Sequence, residues 1–212
     1  ETDPTLDIAH AEGQQVVREL AAVSDVLIEN YKAGGLAKYG LGYEDLKAIN
    51  PGLVYCSVTG FGQSGPRAAQ PGYDFLVQGI GGLMSVTGEA EGAPMKVGVA
   101  LTDVMTGLYT AIAALAALHR RAATGAGAWV DMALLDVTVA TLANQATSFL
   151  TSGQVPRRLG NAHPSIFPYD AFATADDHII VAVGNDAQFA KLAAALGKPE
   201  LAAADRFATN AA

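Results

Sequence analysis

The sequence predicts an α/β fold built on a parallel sheet, and three observations lead there. Apolar strand-like runs alternate with helix-like segments over the first two thirds of the 212 residues. The order strand, helical connection, strand favours a right-handed crossover between parallel neighbours. Polar and Gly-rich residues follow each strand, where ligands gather in such sheets, at the carboxyl ends.

Taken in order, residues 11–22 (AEGQQVVRELAA) form an amphipathic helix with Val16, Val17 and Leu20 on one face. DVLIEN (25–30) is a short strand ending on polar residues, and 34–49 hold two short helices broken at Gly40–Gly42. Asn50-Pro51-Gly52 is a turn, and LVYCSVTGFG (53–62) is a strand running into a loop. Residues 63–100 read as loop-rich, with Gly79, Gly81 and Gly82 closely spaced but no G-x-G-x-x-G opening a helix, so a dinucleotide fingerprint is absent. LYTAIAALAALHRR (108–121) is apolar on nearly every face and reads as a buried helix, too short at 108–118 to span a bilayer. WVDMALLD (129–136) passes from strand into a helix over about 134–150. The stretch 154–170, broken by Pro156, Pro164 and Pro168, is a linker or functional loop. AFATADDHIIVAVG then forms a hairpin turning at Asp176-Asp177, and DAQFAKLAAALG forms a helix.

Asp103 is the residue that stands out. It lies in GVALTDVMTG (98–107), where a core-bound segment becomes the long helix, near the positive end of the helix dipole, which favours an ionised carboxylate. One reading of Asp103 is an N-cap accepting first-turn amides; the other is a reactive acid.

Composition narrows the classes. Half the residues are hydrophobic, 16% are charged and the net charge is −8, with no Lys/Arg cluster larger than a pair. Nucleic-acid binding through phosphates is therefore not expected. The single cysteine, Cys56, excludes an internal disulfide framework and a Cys-cluster metal site, and its strand-like setting reads as a buried thiol. His10, His119, His163 and His178 lack metal-ligand spacing, so no metal is expected. With no signal peptide or membrane span read, the expected compartment is the cytoplasm or a reducing organelle lumen.

Five ordered motifs carry a resemblance: 25–66 (DVLIENYKAGGLAKYGLGYEDLKAINPGLVYCSVTGFGQSGP), 71–88 (PGYDFLVQGIGGLMSVTG), 98–118 (GVALTDVMTGLYTAIAALAAL), 124–136 (TGAGAWVDMALLD) and 158–172 (RLGNAHPSIFPYDAF). Together they resemble the class III CoA-transferase family, also called CaiB/BaiF, from about residue 6 onward. The last motif is most similar to the branch acting on succinyl-CoA and short dicarboxylates such as glutarate or hydroxymethylglutarate. The resemblance implies a Rossmann-like CoA-binding domain (1–153, partial), a linker or active-site loop (154–168) and the start of a smaller α+β domain (169–212, partial). It further implies a central fragment of a longer chain whose full-length form is an interlocked homodimer.

By the same resemblance, Asp103 is a covalent nucleophile that becomes an aspartyl-CoA thioester. Coenzyme A and acyl-CoA are then substrates, with a free carboxylate as acceptor, and no tightly bound cofactor is implied. Asn30, Tyr31 and Lys32 match a CoA-contacting segment, and Lys38 matches a basic position near the CoA phosphates. Without the resemblance, both lysines read as solvated surface charges. Pro71, Gly72, Tyr73 and Asp74 match a loop bordering the pantetheine and the reactive acid; Tyr73 either donates a hydrogen bond there or is simply packed. Gly160, Asn161 and His163 match a loop that closes over the acid in relatives. His163 either holds a distal substrate carboxylate or caps nearby backbone.

Two rivals differ in class. An α-methylacyl-CoA racemase of the same fold places a histidine where this chain has Tyr73, and a tyrosine, with an ordinary pKa of about 10, is a poor neutral-pH base. A non-catalytic CoA-binding or assembly fragment would expose apolar surface and associate.

Overall fold

The structure, a computed structural model, describes residues 5–207 and Thr209. The chain divides into two compact units: Glu1–Ser85 with Met95–Pro156, and Val86–Pro94 with Arg157–Ala212.

The first unit holds a three-stranded parallel sheet in the order β1 (Val26–Glu29), β2 (Val54–Thr59), β3 (Ala128–Ala133). The register sets Glu29 opposite Ser57 and Thr59 opposite Ala133, so the strands' carboxyl ends lie together. β2 is central and buried on both faces, as parallel strands covered by helices must be. Alternation sends Tyr55 to one side, into a cluster with Ala21, Leu36, Leu41, Leu46 and Leu53, and sends Val54 and Cys56 to the other, against Ala114 and Ala117. The Tyr55 hydroxyl donates to the Leu41 carbonyl at 3.1 Å, so this buried phenol is satisfied. Cys56 is fully buried and burial pushes its thiol up, which fits a structural cysteine.

α1 (Ala11–Val23) and α2 (Tyr43–Ile49) cover the Tyr55 face. The inward stripe of α1 is Gly13, Val17 and Ala21, whereas Val16 and Leu20 are exposed, which corrects the face read from the sequence. Close packing decides this: a Cβ on Gly13 would overlap the Asp7 carbonyl, so only small residues fit against the preceding segment.

The other face carries α5 (Leu101–Thr124), with α3 (Asp74–Ile80) and α6 (Leu134–Thr141) packed against it; α4 (Leu83–Val86) is a single turn. Several expectations fail here. α3 lies inside the stretch read as loop, hidden because its glycines resemble breakers. α5 begins seven residues earlier than 108, and its 24 residues are long and apolar enough to cross a membrane by length and composition. Nor is it buried all round. Its inward stripe is Thr102, Thr106, Thr110, Ala114 and Ala117, while Val104, Leu108, Ile112 and Leu115 are exposed. The threonines are tolerated inside because Thr106 and Thr110 donate to carbonyls one turn back, at 2.7 Å each, and the Thr102 and Thr138 hydroxyls share a 3.0 Å hydrogen bond. The helix expected over 134–150 is two, α6 and α7 (Ala143–Ser152), divided where Ala143 takes a positive φ of 43°.

In the second unit, β4 (Tyr169–Ala173) and β5 (His178–Ala182) form the expected antiparallel hairpin, with the Thr174 amide donating to the Asp177 carbonyl at 2.8 Å across the turn. Asn185 caps α8 (Asp186–Ala195) through the Gln188 amide at 3.0 Å. The 86–94 segment belongs here too: the Gly160 amide donates to Gly88 and the Arg158 guanidinium donates to Gly92.

Leu46, with no exposed surface, sits in the Tyr55 cluster. Leu46→Ala is expected to destabilise the protein by ~2–5 kcal/mol, measured by urea unfolding.

Candidate active site

At the carboxyl end of the sheet, on the α5 side, lies a cleft of ≈ 630 Å³ within the first unit. Three of the stretches that line it carry residues expected from the sequence. Asn30, Tyr31 and Lys32 follow β1; Pro71, Gly72 and Tyr73 lead into α3; Asp103 comes from the first turn of α5. Thr106 and Gly107, three and four residues beyond Asp103, also line it. The sequence reading missed these two because it began the helix at 108; with the helix starting at Leu101, the spacing places them beside the acid.

Glycine at two positions lets the cleft form. The backbones of Gly60, after β2, and Gly72 touch, and a Cβ on either would overlap the other. No larger residue permits the 70–73 loop to lie against the end of β2.

Asp103 is not the N-cap. Ala100 holds that position and makes no side-chain capping bond. The cap comes from α3 instead: Asp74 Oδ1 accepts the amide of Thr102 at 2.8 Å and that of Asp103 at 3.4 Å. Asp74 does not line the cleft; its carboxylate is turned onto the helix. With those amides engaged, Asp103 presents an exposed carboxyl to the cleft. Partial burial, and then the Asp74 charge, raise its pKa. Burial and the like charge of Asp74 thus oppose the pull of the helix dipole toward an ionised Asp103.

The remaining positions fall elsewhere. Lys38 does not line the cleft, and its Nζ stands 4.6 Å from the centroid of the Tyr39 ring. Gly160, Asn161 and His163 belong to the second unit. There, His163 Nδ1 accepts the Ser165 amide at 3.0 Å and the His163 amide donates to Tyr169, so this histidine caps its own loop.

The sequence profile described as CoA-transferase family III matches residues 3–212. The chain belongs to CoA-transferase family III. It is 54% identical over 206 residues to the succinate–glutarate CoA-transferase of Agrobacterium fabrum, covering 97% of this chain and 52% of that protein. It is 43% identical to the human succinyl-CoA:glutarate CoA-transferase, covering 47% of its length. Among solved structures, a CaiB/BaiF family protein from Brucella suis superposes with a TM-score of 0.83 at 55% identity, over 97% of this chain and 55% of that one. The family III chain thus spans about half the length of the curated relatives it matches.

Because the folded state raises the Asp103 pKa above its ordinary 3.8, folding favours the protonated acid; that stability is present below the ordinary value and lost as pH rises through the raised one. Asp103→Asn is therefore expected to raise Tm at pH 7, with the gain disappearing below about pH 3.8 in a pH series of melting curves.

Proposed function

We propose that the protein of which this chain forms part transfers CoA between succinyl-CoA and a short-chain carboxylic or dicarboxylic acid, with Asp103 as covalent nucleophile. The observation that carries this reading is the placement of Asp103, exposed at the first turn of α5 and facing a cleft that also receives Glu29, Lys32 and Tyr73. The names of the relatives supply the substrate class.

The chemistry suits a carboxylate. The ionised Asp103 attacks the thioester carbonyl of succinyl-CoA, forming a mixed anhydride and releasing CoA thiolate. The thiolate attacks the aspartyl carbonyl, expelling succinate and leaving an aspartyl-CoA thioester. The acceptor carboxylate attacks that thioester, giving a second anhydride and free thiolate. The thiolate then takes the acceptor's acyl carbon, and Asp103 leaves as carboxylate. One thioester is exchanged for another, so the energy of the bond is conserved through covalent steps. A raised pKa makes the Asp103 carboxylate more basic and a better nucleophile once ionised. Lys32 supplies a cation for an anionic substrate group, and the Tyr73 hydroxyl a donor beside the reacting carbonyl.

Racemisation is the weaker alternative. It needs an acid and a base across the α-carbon, and the cleft lining contains no histidine.

With succinyl-CoA and glutarate, wild-type protein is expected to form glutaryl-CoA, followed by chromatography, and Asp103→Ala to form none. Undiminished transfer by Asp103→Ala would exclude this mechanism, and racemisation of a 2-methylacyl-CoA without transfer would favour the alternative.

A further inference from the structure

We propose that Gln78 is a positioning residue for the reactive acid, acting through Asp74; this rests on the reading of Asp103 as nucleophile. Gln78 has no exposed surface, although its amide carries two donors and an acceptor that are costly to bury unpaired. Both ends are bonded. Nε2 donates to Asp74 Oδ2 at 2.7 Å, and Oε1 accepts the Val97 amide at 2.9 Å. The orientation of the amide is fixed by its partners, since a carboxylate only accepts and a backbone N–H only donates.

Gln78 thereby fastens two things at once. Asp74 and Gln78 stand four residues apart on α3, on one face, so the amide holds the carboxylate in the pose that caps α5. Val97 lies in the segment that leads into α5, so the same side chain also anchors the approach to that helix. Without Gln78, Asp74 Oδ2 loses this partner and the carboxylate is free to turn away from the Thr102 and Asp103 amides. The longer contact, at 3.4 Å to the Asp103 amide, is the first to fail. The turn presenting the nucleophile then loosens, while the groups on the other two stretches of the cleft, Asn30 to Lys32 and Pro71 to Tyr73, keep their own supports.

The test compares wild type with Gln78→Met, which keeps length but cannot hydrogen-bond. Two readouts are taken: the rate of CoA adduct formation on Asp103 as a function of succinyl-CoA, and amide hydrogen exchange at Thr102 and Asp103. The limiting rate is expected to fall on the order of tenfold or more, as small misplacements of a reacting group do, with half-saturation changed by less than about twofold. Exchange at Thr102 and Asp103 is expected to accelerate while the Tyr55 and Cys56 amides in β2 are unchanged. Wild-type rate and wild-type protection in a folded Gln78→Met protein would overturn the proposal, as would a rise in half-saturation with the limiting rate intact. If Gln78→Met does not fold, the Gln78 side-chain amide protons decide: they are expected to be protected in wild type and released in Asp74→Ala, and free exchange in wild type would overturn the proposal. Absence of any adduct on wild-type Asp103 would instead count against the nucleophile reading, and the exchange data would still decide whether Gln78 holds the turn.

Discussion

The site depends on one carboxylate supplied from outside the helix it caps. α5 begins without a capping side chain of its own, and Asp74 of α3 takes the first-turn amides instead. Such a cap ordinarily contributes about 1 kcal/mol to a helix. Here it has a second effect. It adds a like charge beside Asp103 which, after partial burial, raises the pKa of that acid. The neighbour that holds the acid in place thus adds to the effect of burial on its basicity.

The rest of the first unit positions that pair. The register of the parallel sheet brings the ends of β1, β2 and β3 together, so the loops after β1 and β2 emerge beside the mouth of α5. The threonine stripe of α5 keeps the helix close to α6, and a Cβ on Gly81 would lie 2.6 Å from Thr138 Cγ2, which shows how tightly α3 follows. With α3 and α5 both locked against α6, the Asp74 bridge spans two fixed elements. Contact between the Gly60 and Gly72 backbones closes the other side of the cleft.

Much of this was legible in the sequence, and the remainder was hidden for identifiable reasons. The order of strand, helical connection and strand, with polar residues after each strand, announced a parallel sheet and the end at which its ligand site lies. The ordered motifs carried Asp103, Asn30 to Lys32 and Pro71 to Tyr73, and all of these meet at one cleft. Three things were not readable. The start of α5 was obscured because its cap comes from residue 74, far from 101 in sequence, so no local capping signal marks it. Its buried face was misjudged because threonines bonded to their own backbone look polar, while the exposed Val104, Leu108, Ile112 and Leu115 look like core. Gln78 drew no attention because a buried amide is defined by its partners, Asp74 and Val97, which only the fold brings to it.

The central claim is that CoA passes through a thioester on the Asp103 carboxyl. Treating the protein with succinyl-CoA, reducing with borohydride and mapping the peptides by mass spectrometry tests it most directly, because borohydride converts an aspartyl thioester to homoserine but leaves a free carboxylate unchanged. Homoserine at position 103, dependent on succinyl-CoA and lost when glutarate is added before reduction, is the expected result. An unmodified Asp103 in protein that is making glutaryl-CoA would contradict the account.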